Sequence, residues 1–307
     1  MRSSGTLLCL ASAAAFGAMG IFGKLAYDEG ATVGTLLSVR FLLAAALFWV
    51  LVAGTGAARH LRAISRRDLV IALALGGVGY SAQAGAYFTA LERLDASLLS
   101  LLLYTFPAMV TVAAIVLGRE RANRRTAAAL VLASAGLTLV LTGASAGALD
   151  PLGTVLGIAA AVIYSTYILT SASIAGRVSP LVLSALVCTG AAVTLTVAGA
   201  VGGHMELGSV SATGFGWLAG IAVVSTVGAV SLFFAGLKRV GPTTASILST
   251  AEPVTTVLLA FVIFGESLSP VQLAGGALVI AAVFVLSAPA RRRDSVAART
   301  APASARA

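Results

Sequence analysis

A shift of 146 residues lays the second half of this 307-residue chain on the first without a gap. Tyr87-Phe88 falls on Phe233-Phe234, Ser100 on Ser246, Pro107 on Pro253 and Glu120 on Glu266. Leu91-Glu92-Arg93 falls on Leu237-Lys238-Arg239. From 87 to 141 there are 12 identities in 55 aligned positions, and the matched Pro, Arg and Glu weigh most because only 10% of the residues are charged and only 8 are Pro. Each half carries five long apolar stretches. An odd number of crossings forces the halves into opposite orientations in a bilayer, which restricts the fold to an inverted repeat.

The composition demands a membrane. Hydrophobic residues make up 59% of the chain and the mean hydropathy is +1.01, whereas a soluble domain has roughly 25% charged residues. A bilayer-spanning helix needs about 20 apolar residues. Spans are expected near 6–27, 33–54, 69–90, 96–117, 126–144, 152–172, 180–201, 213–236, 243–264 and 271–288. The expected fold is an all-α integral membrane protein with ten transmembrane helices. Its organisation is a first five-helix repeat over 5–144, a second over 151–288 and a disordered, basic, cytoplasmic tail over 289–307. The segment after Met1-Arg2 pairs with the sixth span under the shift, so it reads as the first span rather than a cleaved leader.

Orientation follows from the basic residues. With the N-terminus inside, 17 of the 20 Lys and Arg fall in inside segments. Outside segments hold Lys24 and Arg93, and Arg40 lies within the second span. This bias predicts a multi-pass cell-membrane protein with both termini cytoplasmic. The net charge of +9 then reports topology and contact with anionic lipid, not a nucleic-acid partner. The Gly153-xxx-Gly157 and Gly216-xxx-Gly220 ridges suit helix packing within the chain, or a dimer seam, so the expected state is a monomer or homodimer. Cys9 and Cys188 have no metal-site spacing and read as small packing residues; neither metal nor cofactor is expected.

Candidates for function are polar residues at membrane depth, which are costly in hydrocarbon unless they face a bundle interior or a wet cavity. Glu252 stands near the middle of the ninth span, beside Pro253, and its repeat counterpart is Phe106. Such a carboxyl is a candidate for proton coupling. Arg40 either snorkels to headgroups, pairs with a carboxylate or lines the path. Tyr80, Gln83 and Tyr87 are spaced i, i+3, i+7 and share one helical face. Tyr164 and Tyr167, with Ser171 one turn on, form a second polar stripe, and Tyr104 is a further candidate. Pro107 and Pro253 are repeat-equivalent and are expected to be hinges, because proline removes a helix hydrogen bond. Together these residues would surround a small-molecule substrate with both apolar and hydrogen-bonding groups. No paired carboxylates, nucleophile motif or nucleotide loop is apparent, which disfavours a membrane-embedded enzyme; a non-transporting scaffold is the other alternative.

The ten spans, the inverted repeat, Arg40 within Ser38-Val39-Arg40-Phe41, Glu252-Pro253 and Gly265-Glu266 resemble the EamA family of the drug/metabolite transporter superfamily. The resemblance covers about residues 5–288. It implies a secondary transporter, commonly an exporter of amino acids, metabolites or amphipathic compounds. It also implies a central cavity formed by the first four helices of each repeat, with the fifth and tenth peripheral. Phe106 before its proline, and Gly118-Arg119-Glu120 where a Gly-Glu pair is expected, depart from the family pattern.

Overall fold

The computed structural model describes residues 2–61, 63–91, 93, 99, 102–141, 150–203, 205–264 and 269–287. The tail over 289–307, Arg62, Glu92, Ser100, His204, Gly265-Glu266 and the 144–149 connection lie outside the described residues, as does the Lys24 side chain.

Every regular element among the described residues is helical. Six stretches are long and apolar enough to cross a bilayer: Ser4–Asp28, Val33–Gly54, Arg66–Tyr87, Pro151–Ala175, Pro180–Val201 and Ala212–Val240. Shorter apolar helices cover Phe106–Val116 and Leu273–Val285. The helices are α1 (Arg2–Asp28), α2 (Val33–Gly54), the single turn α3 (Ala58–Leu61), α4 (Arg66–Ala74), α5 (Ser81–Leu91), α6 (Phe106–Val116) and α7 (Arg124–Leu141). They continue with α8 (Pro151–Ala175), α9 (Pro180–Val201), α10 (Ala212–Gly220), α11 (Ala229–Val240), α12 (Pro242–Leu248), α13 (Ala251–Phe264) and α14 (Pro270–Ser287).

Helix starts follow from the loop residues. The first N–H groups of a helix have no partner within it. Thr32, Ser65, Asp150, Ser179 and Ser211 each accept from a first-turn N–H. Pro151 and Pro180 occupy the first turn, where their missing N–H costs nothing. Between α11 and α12 the chain turns at Gly241, with φ of 81°, a conformation only glycine adopts cheaply.

Two joints interrupt this regularity. α4 passes into α5 through a π-helical segment, Leu75–Tyr80, and α10 into α11 through another, Ile221–Gly228. Leu75 and Ile221 are 146 positions apart. In each, a hydroxyl five residues on donates to an early carbonyl: Ser81 Oγ to Gly76 at 3.2 Å and Thr226 Oγ1 to Ile221 at 3.0 Å. The sequence gives no periodicity signal for these widened turns.

Packing couples the halves. α1 lies against α11 and α13, while α8 lies against α5 and α6. α2 packs on the second π segment and α9 on the first. Under the 146-residue shift each of these pairings maps onto the other. The α2–α9 and α7–α14 contacts map onto themselves. Lipid tails supply no hydrophobic force between helices, so close approach of small residues does the work. At the α9 crossing a Cβ on Gly76 would lie 1.8 Å from the Val187 carbonyl oxygen, and one on Gly190 would lie 2.2 Å from that of Leu73. Of the expected glycine ridges, Gly157 packs within the chain against Leu102, whereas Gly216 is open. Cys9 and Cys188 are buried and free, consistent with packing roles.

Polar contacts join the halves at both ends. The Arg177 guanidinium meets the Asp68 carboxylate in a forked pair, at 2.7 and 3.1 Å. On the loop between α1 and α2, Glu29 accepts from the Ser211 hydroxyl, and its carbonyl accepts from the Ser211 N–H at 3.1 Å. Because the Arg177 side chain is 56% exposed, water screens the forked pair and it contributes little to stability. Asp68→Asn is therefore expected to leave the thermal midpoint of the purified protein within a few degrees of wild type. A larger fall would show that Asp68 does more than bind Arg177.

Candidate functional site

A cavity of about 300 Å³ lies between α1, α2, α5, α6, α8, α11 and α13, and its lining includes Arg40, Tyr80, Gln83, Tyr87, Tyr104, Tyr164, Tyr167, Glu252 and Pro253. Thus all seven polar candidates, Tyr104 and one of the two prolines come together. Pro107 does not line the cavity; its neighbour Phe106 does. Ser171 is buried and also stands off the cavity. α7 and α14 pack on one another and contribute no lining residue.

The prolines act differently from a bend in mid-helix. The chain turns at Tyr104-Thr105 and again at Ser249-Thr250 before α6 and α13 begin. Thr250 is the repeat counterpart of Tyr104. Pro107 and Pro253 therefore sit in the first turn of new helices, where proline is tolerated. The expected kinks are breaks in the helical hydrogen-bond ladder, two to four residues ahead of each proline, with Thr105 and Ser249 still at right-handed helical angles. Broken helices at membrane depth are tolerated where they line a cavity; the first break lines this one through Tyr104, and the second stands just ahead of the lining residues Glu252 and Pro253.

Arg40 is only 3% exposed, so it does not snorkel. Its Nε donates to Thr226 Oγ1 at 2.7 Å and its Nη2 to the Tyr80 hydroxyl at 3.1 Å. Thr226 and Tyr80 are repeat counterparts, one on each π segment. One arginine thus bridges equivalent points of the two halves. Its Cζ also stands 4.8 Å from the centre of the Phe41 ring. An arginine at membrane depth costs roughly 3 kcal/mol by insertion scales, and each hydrogen bond from a charged group returns about 1.5–3 kcal/mol. The site holds Arg40 in place without neutralising it.

Glu252 is half-buried in the first turn of α13. Its neighbours in the cavity include Tyr104 and Tyr164. Glu252 and Arg40 share the cavity but form no ion pair; among the described residues the ion pairs are Arg93–Asp150 and Arg177–Asp68. The pairing considered from sequence is therefore absent.

Aromatic rings form the remaining wall. Phe41 meets Tyr80 at 5.0 Å, Tyr80 meets Tyr167 at 5.9 Å, Tyr167 meets Tyr164 at 6.1 Å and Tyr164 meets Phe106 at 4.7 Å. Sequence reasoning missed Thr226, although its pairing with Tyr80 under the shift was available. It also missed Phe16, Phe233 and Thr256 as lining residues, because nothing in their type distinguishes them from packing residues.

A second, larger recess of about 740 Å³ is lined by Thr6, Arg119, Glu120, Arg121, Arg125, Ser173, Gly241 and Thr244, among others. Along α8 and α11, its residues Ala172, Ser173 and Val240 follow the cavity residues Tyr167 and Phe233 by about one to two turns. The recess and the cavity are stacked along the same helices.

Comparison with known proteins agrees with this architecture. A solved crystal structure overlays with a TM-score of 0.80 over 94% of this chain and 97% of its own, at 20% identity, which speaks to the fold. The uncharacterized transporter YcbK of Bacillus subtilis (strain 168) is 26% identical over 288 residues, covering 89% of each chain. An uncharacterized transporter of Archaeoglobus fulgidus is 29% identical over 204 residues, 65% of this chain and 70% of its own. The EamA-like transporter family matches residues 3–142 and again residues 151–288. With apolar helices that cross a bilayer several times and the family pattern present twice, the chain is a multi-pass membrane protein belonging to the EamA-like transporter family.

Proposed function

We propose that this protein is a secondary active transporter that moves a small metabolite, amino acid or amphipathic compound out of the cell by alternating access. In this reading it has ten crossings as two inverted five-helix repeats, sits in the cell membrane and keeps both termini in the cytoplasm. The observation that carries the reading is the cavity at the seam of the two halves. It is lined by Tyr104 at one helix break and by Glu252 and Pro253 just after the other, and Arg40 joins repeat-equivalent residues of two π segments beside it. Central sites at repeat interfaces, formed by discontinuous helices, suit rocking of one repeat against the other. The mutual mapping of the inter-half contacts supports two arrangements of similar energy, related by exchange of the halves.

Cysteine accessibility tests this. Tyr87 lies on α5 and its counterpart Phe233 on α11, both lining the cavity. Single cysteines at these positions, in the protein freed of Cys9 and Cys188, are expected to label from opposite sides of the membrane. Added substrate should raise one reactivity as it lowers the other. Identical labelling of both under all conditions would remove alternating access. Flux of candidate solutes in reconstituted vesicles separates a transporter from a scaffold, which would change no flux.

A further inference from the structure

We propose that the substrate carries a carboxylate or similarly forked anionic group, which docks on Arg40, attached to an apolar body that packs on the tyrosine wall. The inference rests on the transporter reading and deepens it.

Arg40 is the starting point. A guanidinium has five N–H donors in a rigid fork. Nε and Nη2 are used by two neutral hydroxyls, and Nη1 has no partner among the described residues. Among the described residues the one acidic side chain lining the cavity is Glu252, which stands beyond ion-pair distance of Arg40. A buried positive charge whose hydrogen bonds all go to neutral groups lacks the opposite charge that would complete it. A forked anion supplies that charge and accepts from the vacant edge. Thr226 and Tyr80 fix the guanidinium plane from two sides, so this edge is pre-oriented.

The recess adds an independent argument. Arg119, Arg121 and Arg125 line it, against one carboxylate. Arg119 is held by a 2.8 Å bond to the Leu169 carbonyl and Arg125 by a bond to that of Val285, while Glu120 accepts from the Thr243 N–H at 3.3 Å. A concave surface of one sign focuses field lines and raises the local concentration of ions of the other sign. Stacked on the cavity along the same helices, it would gather anions and pass them toward Arg40.

The test uses matched trios on the purified full-length protein. Each trio shares one apolar body and differs in its head: 3-phenylpropionate, 3-phenylpropylamine and 3-phenylpropanol; indole-3-acetate, tryptamine and tryptophol; 4-methylvalerate, isoamylamine and isoamyl alcohol. At least one carboxylate should bind roughly tenfold or more tightly than its own amine and alcohol. Arg40→Gln should erase that preference. Arg40→Lys, which keeps the charge and loses the fork, should retain part of it and serves if Arg40→Gln does not fold. The proposal is overturned if no carboxylate outbinds both partners in any trio, or if the variants keep the wild-type preference. Vesicle flux separates the two readings. A carboxylate that binds but is not carried defeats transport alone; an amine or alcohol that is carried while carboxylates are ignored defeats the anion assignment alone.

Discussion

Glu252→Gln is expected to abolish the pH dependence of transport while leaving folded protein in the membrane. Glu252 is the acidic residue of the cavity, and ionisable groups at this depth are the usual carriers of protons in transporters. If proton movement inward drives substrate outward, wild-type flux should rise as the receiving side is acidified, because a proton must enter the cavity from that side in each cycle. Glutamine keeps the shape and the polarity, but it cannot exchange a proton. Its flux should be flat with pH and lower than wild type by about tenfold or more, the loss that removing a positioned proton carrier would bring. The ionisable groups around this carboxyl are Tyr104, Tyr164 and Arg40. Tyr104→Phe is the matching control, since it removes the neighbouring hydroxyl and spares the carboxyl; some pH dependence should survive in it. Wild-type flux with an unchanged profile in Glu252→Gln would make the residue structural and end the proton-coupling proposal at this position.

Much of the cavity was legible because lipid leaves polar side chains few places to go. Tyr80, Gln83 and Tyr87 could be placed together from spacing alone, and Arg40 and Glu252 from the cost of charge at depth. They converge because the helices that carry them bury those faces against one another. What could not be read is what the backbone does between helices. The π segments at Leu75–Tyr80 and Ile221–Gly228 shift the facing of everything after them, and single-residue hydrogen-bond shifts leave no hydropathy signature. The breaks at Tyr104-Thr105 and Ser249-Thr250 read as proline bends, because proline is visible in a sequence and a missing backbone hydrogen bond is not.

Asymmetry between the halves is the more instructive part. Phe106 and Glu252 are counterparts and both line the cavity. The substitution that looked like a departure from the family pattern therefore puts an apolar wall opposite a carboxyl. Likewise Leu186 stands where the second half would need a copy of Arg40, and it is buried in the core. A single arginine can bridge Tyr80 and Thr226 only because a second one would compete for the same space and add a like charge. The helix contacts map onto one another under the 146-residue shift, while Arg40 and Glu252 fall on the apolar Leu186 and Phe106.

Gly76→Ala and Gly190→Ala are expected to be among the most damaging single-methyl changes within the described helices. In each case the added Cβ meets backbone: the Val187 carbonyl oxygen at 1.8 Å for Gly76, the Leu73 carbonyl oxygen at 2.2 Å and the Gly77 nitrogen at 2.8 Å for Gly190. No rotamer change relieves a clash with backbone, so α9 must move off the first π segment. Overpacking costs about 1–3 kcal/mol when side chains can adjust; here they cannot, and about 3 kcal/mol or more is expected at either site. Thermal unfolding in detergent, or the fraction of protein eluting as a single folded species, measures this. Gly85→Ala on α5 is the control, since nothing lies within 4 Å of its added Cβ, and it should be neutral or stabilise by up to about 1 kcal/mol through helix propensity. The two damaging changes act on one crossing, so the double variant should cost clearly less than the sum of the singles. Any Gly76→Ala protein that folds should also bind substrate weakly, because the displaced π segment carries Tyr80, the hydroxyl that fixes Arg40. Wild-type stability in both single variants would mean that the crossing opens without cost, and that the seam between the halves is looser than its glycines imply.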